Sequence, residues 1–429
     1  MSERLRRDVG VGGAVMLGLG SMVGTGVFVS LGVAAGVTGP SVVLAVVIAA
    51  AVAACNALSS AQLAAVHPVS GGTYEYGYRF LTPTLGFTAG WMFLVAKSAS
   101  AATAALGVAG YTLTLLSPES TEISRWIAPV IVLVLTALVS LGIRRSSQVN
   151  TVIVSVTLAT LIFFVGSSLP ELRIERFSPF FRPEPGRTPL SALLYAAALS
   201  FVAYTGYGRI ATLGEEITEP ARNIPRAIAA TIVVTVLLYT SVAVSGTGIL
   251  GAEGLAQAVS RTGAPLEVAA GRTTGDVGRI VMTIGAATAL LGVLLNLILG
   301  LSRVLLAMGR RRDMPGPVAR IAGGTPRVAV VVMGIVVAAI ALVDDIRLTW
   351  SFSAVTVLTY YALTNLAALR LTDAQRRYPR WISALGLAGC LALAGFVDPA
   401  VIAVAGGVLA VGLAWHAALR IRHGKHDET

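Results

Sequence analysis

Apolar runs of about 20 residues recur from one end of this chain to the other, and each is long enough to cross a ~30 Å hydrocarbon layer as a helix. No other feature limits the fold as strongly. A helix satisfies its own backbone hydrogen bonds, so a chain built mostly of such runs folds as a helical bundle in lipid. Composition agrees: 55% of the residues are hydrophobic and 12% charged, against roughly 25% charged in a soluble domain, and the mean hydropathy is +0.80. The short loops leave no room for a large soluble domain, and an ordinary cytosolic enzyme is excluded.

Twelve spans are read near 10–34, 40–64, 85–114, 124–142, 149–169, 189–213, 227–250, 277–308, 327–343, 348–370, 380–397 and 399–420. With the N-terminus inside, the cytoplasmic segments collect 22 of the 32 basic residues and the outer segments nine. Acidic residues divide ten to eleven, so the Lys/Arg bias alone orients the chain and places both termini in the cytoplasm. The net charge of +11 is therefore topogenic, and no nucleic-acid partner is expected. Trp91, Trp126, Trp350, Trp381 and Trp415 fall near span ends, where amphipathic rings sit at headgroup level. Cys55 and Cys390 lie in apolar runs and read as packing residues, with no disulfide framework or metal spacing. The opening MSERLRR leads into a Gly-rich apolar run and reads as the approach to a first span, not as a cleaved leader.

One basic residue belongs to neither side. Lys97 lies about twelve residues into the third span, or ~18 Å along a helix rising 1.5 Å per residue. No Asp or Glu occupies a span interior. A lone ionisable group at that depth is a functional candidate by default.

Two spans look interrupted. The first contains Gly18, Gly20, Gly24 and Gly26, and the sixth contains Gly206 and Gly208 behind Ala203, Tyr204 and Thr205. Each glycine in a helix interior costs roughly 1 kcal/mol relative to alanine, so breaks are predicted at about 22–26 and 203–207. Paired breaks in the first and sixth spans suggest two five-helix repeats of inverted topology, with the unwound segments facing a midplane cavity. Freed amides there attract an anionic group and freed carbonyls a cation. A zwitterionic amino acid carries both.

The segment GLGSMVGTGVFV resembles the first-helix signature of the amino acid–polyamine–organocation (APC) family of permeases, and FVAYTGYGRIATLGEEITEPARNIPRAI (201–228) resembles its sixth-helix pattern. SRVLLAMGRRRDMP (302–315) is similar to the end of its eighth helix, and 68–91 to its second loop and third-helix start. The resemblance implies an all-α integral membrane protein of the LeuT-type fold. Repeats would cover 1–170 and 189–370, with two C-terminal helices in 380–420. It implies a substrate carboxylate at the amides of Thr25 and Gly26, beside Ser21, Met22 and Gly24, and an ammonium at carbonyls of Ala203, Tyr204 and Gly206. Phe201 resembles the gating aromatic, and Glu215, Glu216 and Arg222 a cytoplasmic cluster. Many members carry a fifth-helix lysine in the place of a sodium ion; Thr157 stands there in this chain, and Lys97 is read either as its replacement, a proton carrier reaching the cation position between the first and eighth helices, or as a fixed charge capping unwound carbonyls.

The function these features imply is secondary active transport of a neutral L-amino acid across the cell membrane, proton-linked and sodium-independent. A polyamine or organic-cation transporter, or an exchanger of the same fold, is the alternative; such a cargo calls for a pocket carboxylate. No G-x-x-x-x-G-K-[ST] loop occurs, so gradients supply the energy. No cofactor or metal is expected. The partners are the substrate, protons and the bilayer.

Overall fold

The computed structural model describes residues 9–68, 71–116, 124–141, 147–211, 217–322 and 325–424. Among them the architecture is all-helical: α1 Val11–Met22, α2 Leu31–Thr38, α3 Val42–Val66, α4 Thr73–Phe80, α5 Pro83–Leu116, α6 Ser124–Ser140, α7 Ser147–Ser168, α8 Pro189–Ala203, α9 Gly208–Ala211, α10 Pro220–Thr262, α11 Pro265–Arg310, α12 Arg327–Ala341, α13 Ile346–Leu369, α14 Arg380–Gly395 and α15 Pro399–Gly424. Five of these start on a proline, whose fixed φ and missing N–H suit the first helical position. Two starts are capped by side chains: Thr188, before the Pro189 that opens α8, accepts from Ser191 N, and Asp345 Oδ1, before α13, accepts from Leu348 N at 2.8 Å.

Eight helical stretches are long and apolar enough to cross a membrane, and three shorter helices are apolar as well. Large side chains such as Leu133 and Val134 on α6, Val233 and Leu237 on α10, Ile335 on α12 and Val411 on α15 are exposed. Outward apolar faces on so many helices form a belt that suits lipid. Inside, α5 packs along α11 and α13, α3 packs along α10 and α8, and α7 lies against α1 and α11. Small residues permit this closeness: Ala96, Ala99, Ala101, Ala102, Ala104 and Ala105 of α5 are completely buried, as expected where helix backbones approach without large side chains between them.

Both of the longest helices are bent. Gly251 (φ +73°) interrupts α10, and Thr274 with Gly275 (φ +60°) interrupts α11; the positive φ is available to glycine without a steric penalty. The segment between the two bends is a helical hairpin braced across the second by the Arg279–Glu267 ion pair at 2.6 Å.

The structure moves several boundaries read from sequence. The first apolar stretch continues to Thr38, and α10 begins at Pro220, not near 227. Trp350 is not at an interface: it is 2% exposed and its indole N–H donates to the Leu199 carbonyl at 2.9 Å. It lies one turn inside α13, facing α8, so closeness to a span end did not locate it.

Candidate functional site

The predicted interruptions are present at both positions. After Met22 the chain turns extended at Val23 (φ −80°, ψ 95°), then resumes as a π-helical turn over Gly26–Ser30 before α2. On the other side α8 stops at Ala203, Thr205–Tyr207 form a 3₁₀ turn, and α9 follows. Such breaks leave amides and carbonyls without their regular helical partners.

The two breaks are pressed against each other. A Cβ on Gly26 would collide with the Cα and Cβ of Ala203, and one on Gly206 would collide with the main-chain carbonyl of Ser21. Glycine is needed here for close approach of backbone to backbone. A Cβ on Gly24 would instead meet the Val293 side chain of α11. Beside the contact lies a small cavity, with apolar walls from Val27, Leu31, Val46 and Ala203 and hydroxyl-bearing walls from Ser30, Ser200, Tyr204 and Tyr239.

Tyr239, on α10, is the residue that sequence reasoning missed. Its hydroxyl lies 2.6 Å from the Met22 carbonyl and 3.3 Å from the Ala203 carbonyl, bridging the loose ends of both breaks. Its ring packs on Tyr204 at 5.1 Å. The only available signal was a lone tyrosine in an otherwise aliphatic run. Tyr361 on α13, also missed, donates to the Thr205 carbonyl at 2.9 Å.

Two further carbonyls of α1 accept from side-chain amides. Asn150 Nδ2 of α7 donates to the Met16 carbonyl at 3.0 Å, and Asn296 Nδ2 of α11 to the Gly20 carbonyl at 3.5 Å. Thr157 is buried and turned to its own helix, donating to Ile153 at 2.8 Å.

Lys97 is buried, 8% exposed, and its Nζ donates to Thr205 Oγ1 at 2.7 Å. Thr205 in turn donates to the Val202 carbonyl at 2.7 Å. The amine therefore reaches the second break, not the space between α1 and α11 expected from the sequence. The reason is the direction of α5, which runs along α11 and α13 and aims Lys97 at the turn after α8.

The remaining candidates fall as follows. Met22 is buried at the break; Ser21 Oγ bonds back to Leu17 O at 3.0 Å; Thr25 Oγ1 is buried without a partner. Phe201 is fully buried and meets Tyr361 edge-on at 5.8 Å. Arg222 makes an exposed pair with Glu219 at 3.6 Å, whereas Glu215 and Glu216 lie outside the described residues. Among the described residues no cluster of His, Cys, Asp or Glu could hold a metal ion.

Known proteins resemble this chain along nearly its whole length. An uncharacterized transporter of Mycobacterium tuberculosis is 41% identical over 428 residues, covering 98% of this chain and 92% of its own. The branched-chain amino acid permease BcaP of Bacillus subtilis is 26% identical, covering 88% of this chain and 83% of its own. The methylthioribose transporter of the same organism is 28% identical over 75% of this chain and 71% of its own. The sequence profile described as Amino acid permease matches residues 13–427, and on that match together with the close relative the chain belongs to the amino acid permease family.

Proposed function

We propose that this permease moves a neutral L-amino acid across the cell membrane by alternating access, coupled to protons and independent of sodium. The observation that carries this reading is the pair of backbone breaks packed face to face beside a cavity with both hydroxyl and apolar walls. In the proposed pose the substrate carboxylate meets the helix start at Thr25 and Gly26, where the backbone N–H groups and helix dipole favour an anion. Thr25 Oγ1, buried and unpartnered, is available to it. The ammonium meets carbonyls of the second break at Ala203, Tyr204 and Gly206, and Phe201 and Met22 close the surroundings.

The membrane arrangement in this reading is twelve crossings. Each broken pair (α1 with α2, α8 with α9) counts as one crossing, the amphipathic α4 counts as none, and the hairpin between the bends of α10 and α11 stays outside. The breaks then open two inverted five-helix repeats, 1–170 and 189–370, followed by the C-terminal pair in 380–420. Both termini face the cytoplasm, as the Lys/Arg bias demands.

Sodium independence is supported by the carbonyls of α1. A sodium site in this type of helix needs freed carbonyl oxygens, and here Met16, Gly20 and Met22 already face Asn150, Asn296 and Tyr239. Tyr239→Phe keeps the ring and removes the bridge; uptake is expected to fall about tenfold, in line with one buried hydrogen bond worth ~1–1.5 kcal/mol. An unchanged rate in folded protein would remove Tyr239 from the site.

A neutral cargo is supported by the cavity walls, which hold no carboxylate, since a buried cationic side chain without a counter-charge costs several kcal/mol. A relative named for branched-chain amino acids points the same way. The test is uptake of a labelled amino acid panel into proteoliposomes, with proton and sodium gradients imposed separately. Leucine- or alanine-like compounds should compete, acidic outside medium should accelerate uptake, and sodium should have no effect. Stronger competition by putrescine or arginine would replace the cargo; stimulation by sodium would replace the coupling.

A further inference from the structure

Helix α4, the chain just past α11, and α15 meet at one buried carboxylate. Asp313 is 6% exposed. Its Oδ2 accepts hydrogen bonds from Tyr74 at 2.7 Å and Tyr78 at 2.6 Å, and its main-chain carbonyl accepts from Trp415 Nε1 at 3.0 Å. Both tyrosines use one oxygen, and the other faces His416 Nδ1 at 3.4 Å. Burial, and next the Asp313 carboxylate beside them, push the Tyr74 and Tyr78 phenols well above their ordinary range. Both therefore remain donors at any physiological pH.

His416 is held in place without being used. Its ring stacks on Phe87 at 4.5 Å, it is 4% exposed, and neither ring nitrogen has a hydrogen-bond partner. The charged groups acting on it are Asp313 and, one turn along α15, Arg420. Helix α5 presents only Phe87 and Trp91 to this region, and α4 the two phenols. A proton on the imidazole converts the 3.4 Å approach into a charge-assisted pair.

The cluster is connected to the breaks. Thr73, at the start of α4, shares a hydrogen bond with Thr364 of α13 at 2.7 Å, and its N–H donates to the Tyr360 hydroxyl at 3.3 Å. The next residue, Tyr361, holds the Thr205 carbonyl. Arg311, bonded to Glu75 and lying 4.6 Å over the Tyr78 ring, braces the outer side of α4.

We propose that Asp313 is the positioning residue of an inner latch, pinning α4 across the end of α11 while the cytoplasmic mouth is shut. The proposal rests on the alternating-access reading above.

The test is amide hydrogen exchange of residues 73–80 in the full-length protein in proteoliposomes, normalised to intrinsic rates at each pH and followed without any substrate. Tyr74→Phe with Tyr78→Phe keeps both rings and removes both donors; exchange across 73–80 should rise at least tenfold. Wild-type exchange in the double phenylalanine variant would overturn the latch. Because no cargo is present, failure of the latch is distinguishable from failure of the amino acid reading, which the uptake panel tests by itself.

Discussion

Gly26→Ala and Gly206→Ala are expected to reduce uptake more than a hundredfold in protein that still folds. Each added methyl group meets main chain: the Cα of Ala203 in the first case, the carbonyl of Ser21 in the second. Neither obstacle can rotate aside as a flexible side chain would, so the breaks must move apart. A misplacement of about 1 Å in positioned groups is enough to cost ~100-fold in rate. Gly406, on the outer helix α15, has open space where an added methyl group would sit. Gly406→Ala should leave uptake unchanged and, inside a helix, raise stability by up to about 1 kcal/mol. Uptake and thermal unfolding measured side by side decide the matter: near-normal uptake by either break variant would mean that backbone contact is not part of the mechanism.

Lys97→Ala should fold and yet lose its response to a proton gradient. The charged amine donates to Thr205 Oγ1, on the same turn whose carbonyl Tyr361 holds. Removing its proton takes the charge off that hydrogen bond and weakens it, so the second break is held less firmly. Each pKa unit by which outward- and inward-facing states differ in holding the Lys97 proton biases them by ~1.4 kcal/mol, about tenfold. Acidic medium outside should thus speed uptake by the wild type about tenfold per unit of such a difference, whereas the alanine variant gives a flat profile. Thr205→Val, which keeps the shape and removes the hydroxyl, should flatten it in the same way. A variant profile parallel to the wild type would take Lys97 out of the coupling.

The sequence made the breaks legible because glycine clusters oppose helix formation locally, and no tertiary information is needed to see them. The buried position of Lys97 followed from counting residues along a span. Its partner did not, because which of several neighbouring helices a long side chain reaches depends on how α5 lies against α11 and α13. The same limit hid Tyr239, Asn150 and Asn296. Each acts by donating to the backbone of a distant helix, and nothing in its own surroundings distinguishes it from a residue packed for volume alone. Trp350 shows the converse: a residue type with a strong positional tendency was placed at an interface, and an indole N–H seeking the Leu199 carbonyl set its location instead.

The contact between the two breaks has a consequence for how such a protein can change over time. Where main chain meets main chain through two glycines, the part of the site that, in the proposed pose, reads the ends common to all amino acids is inherited with the path of the backbone. Point substitutions cannot tune it gradually; they either preserve it or abolish it. The walls are free of that restriction, since Val27, Leu31 and Val46 can exchange for other side chains without disturbing Gly26 or Gly206. Divergence in cargo is thereby confined to a few side chains around an unchanging floor, and a lineage can acquire a new preference in single steps without passing through a form that transports nothing.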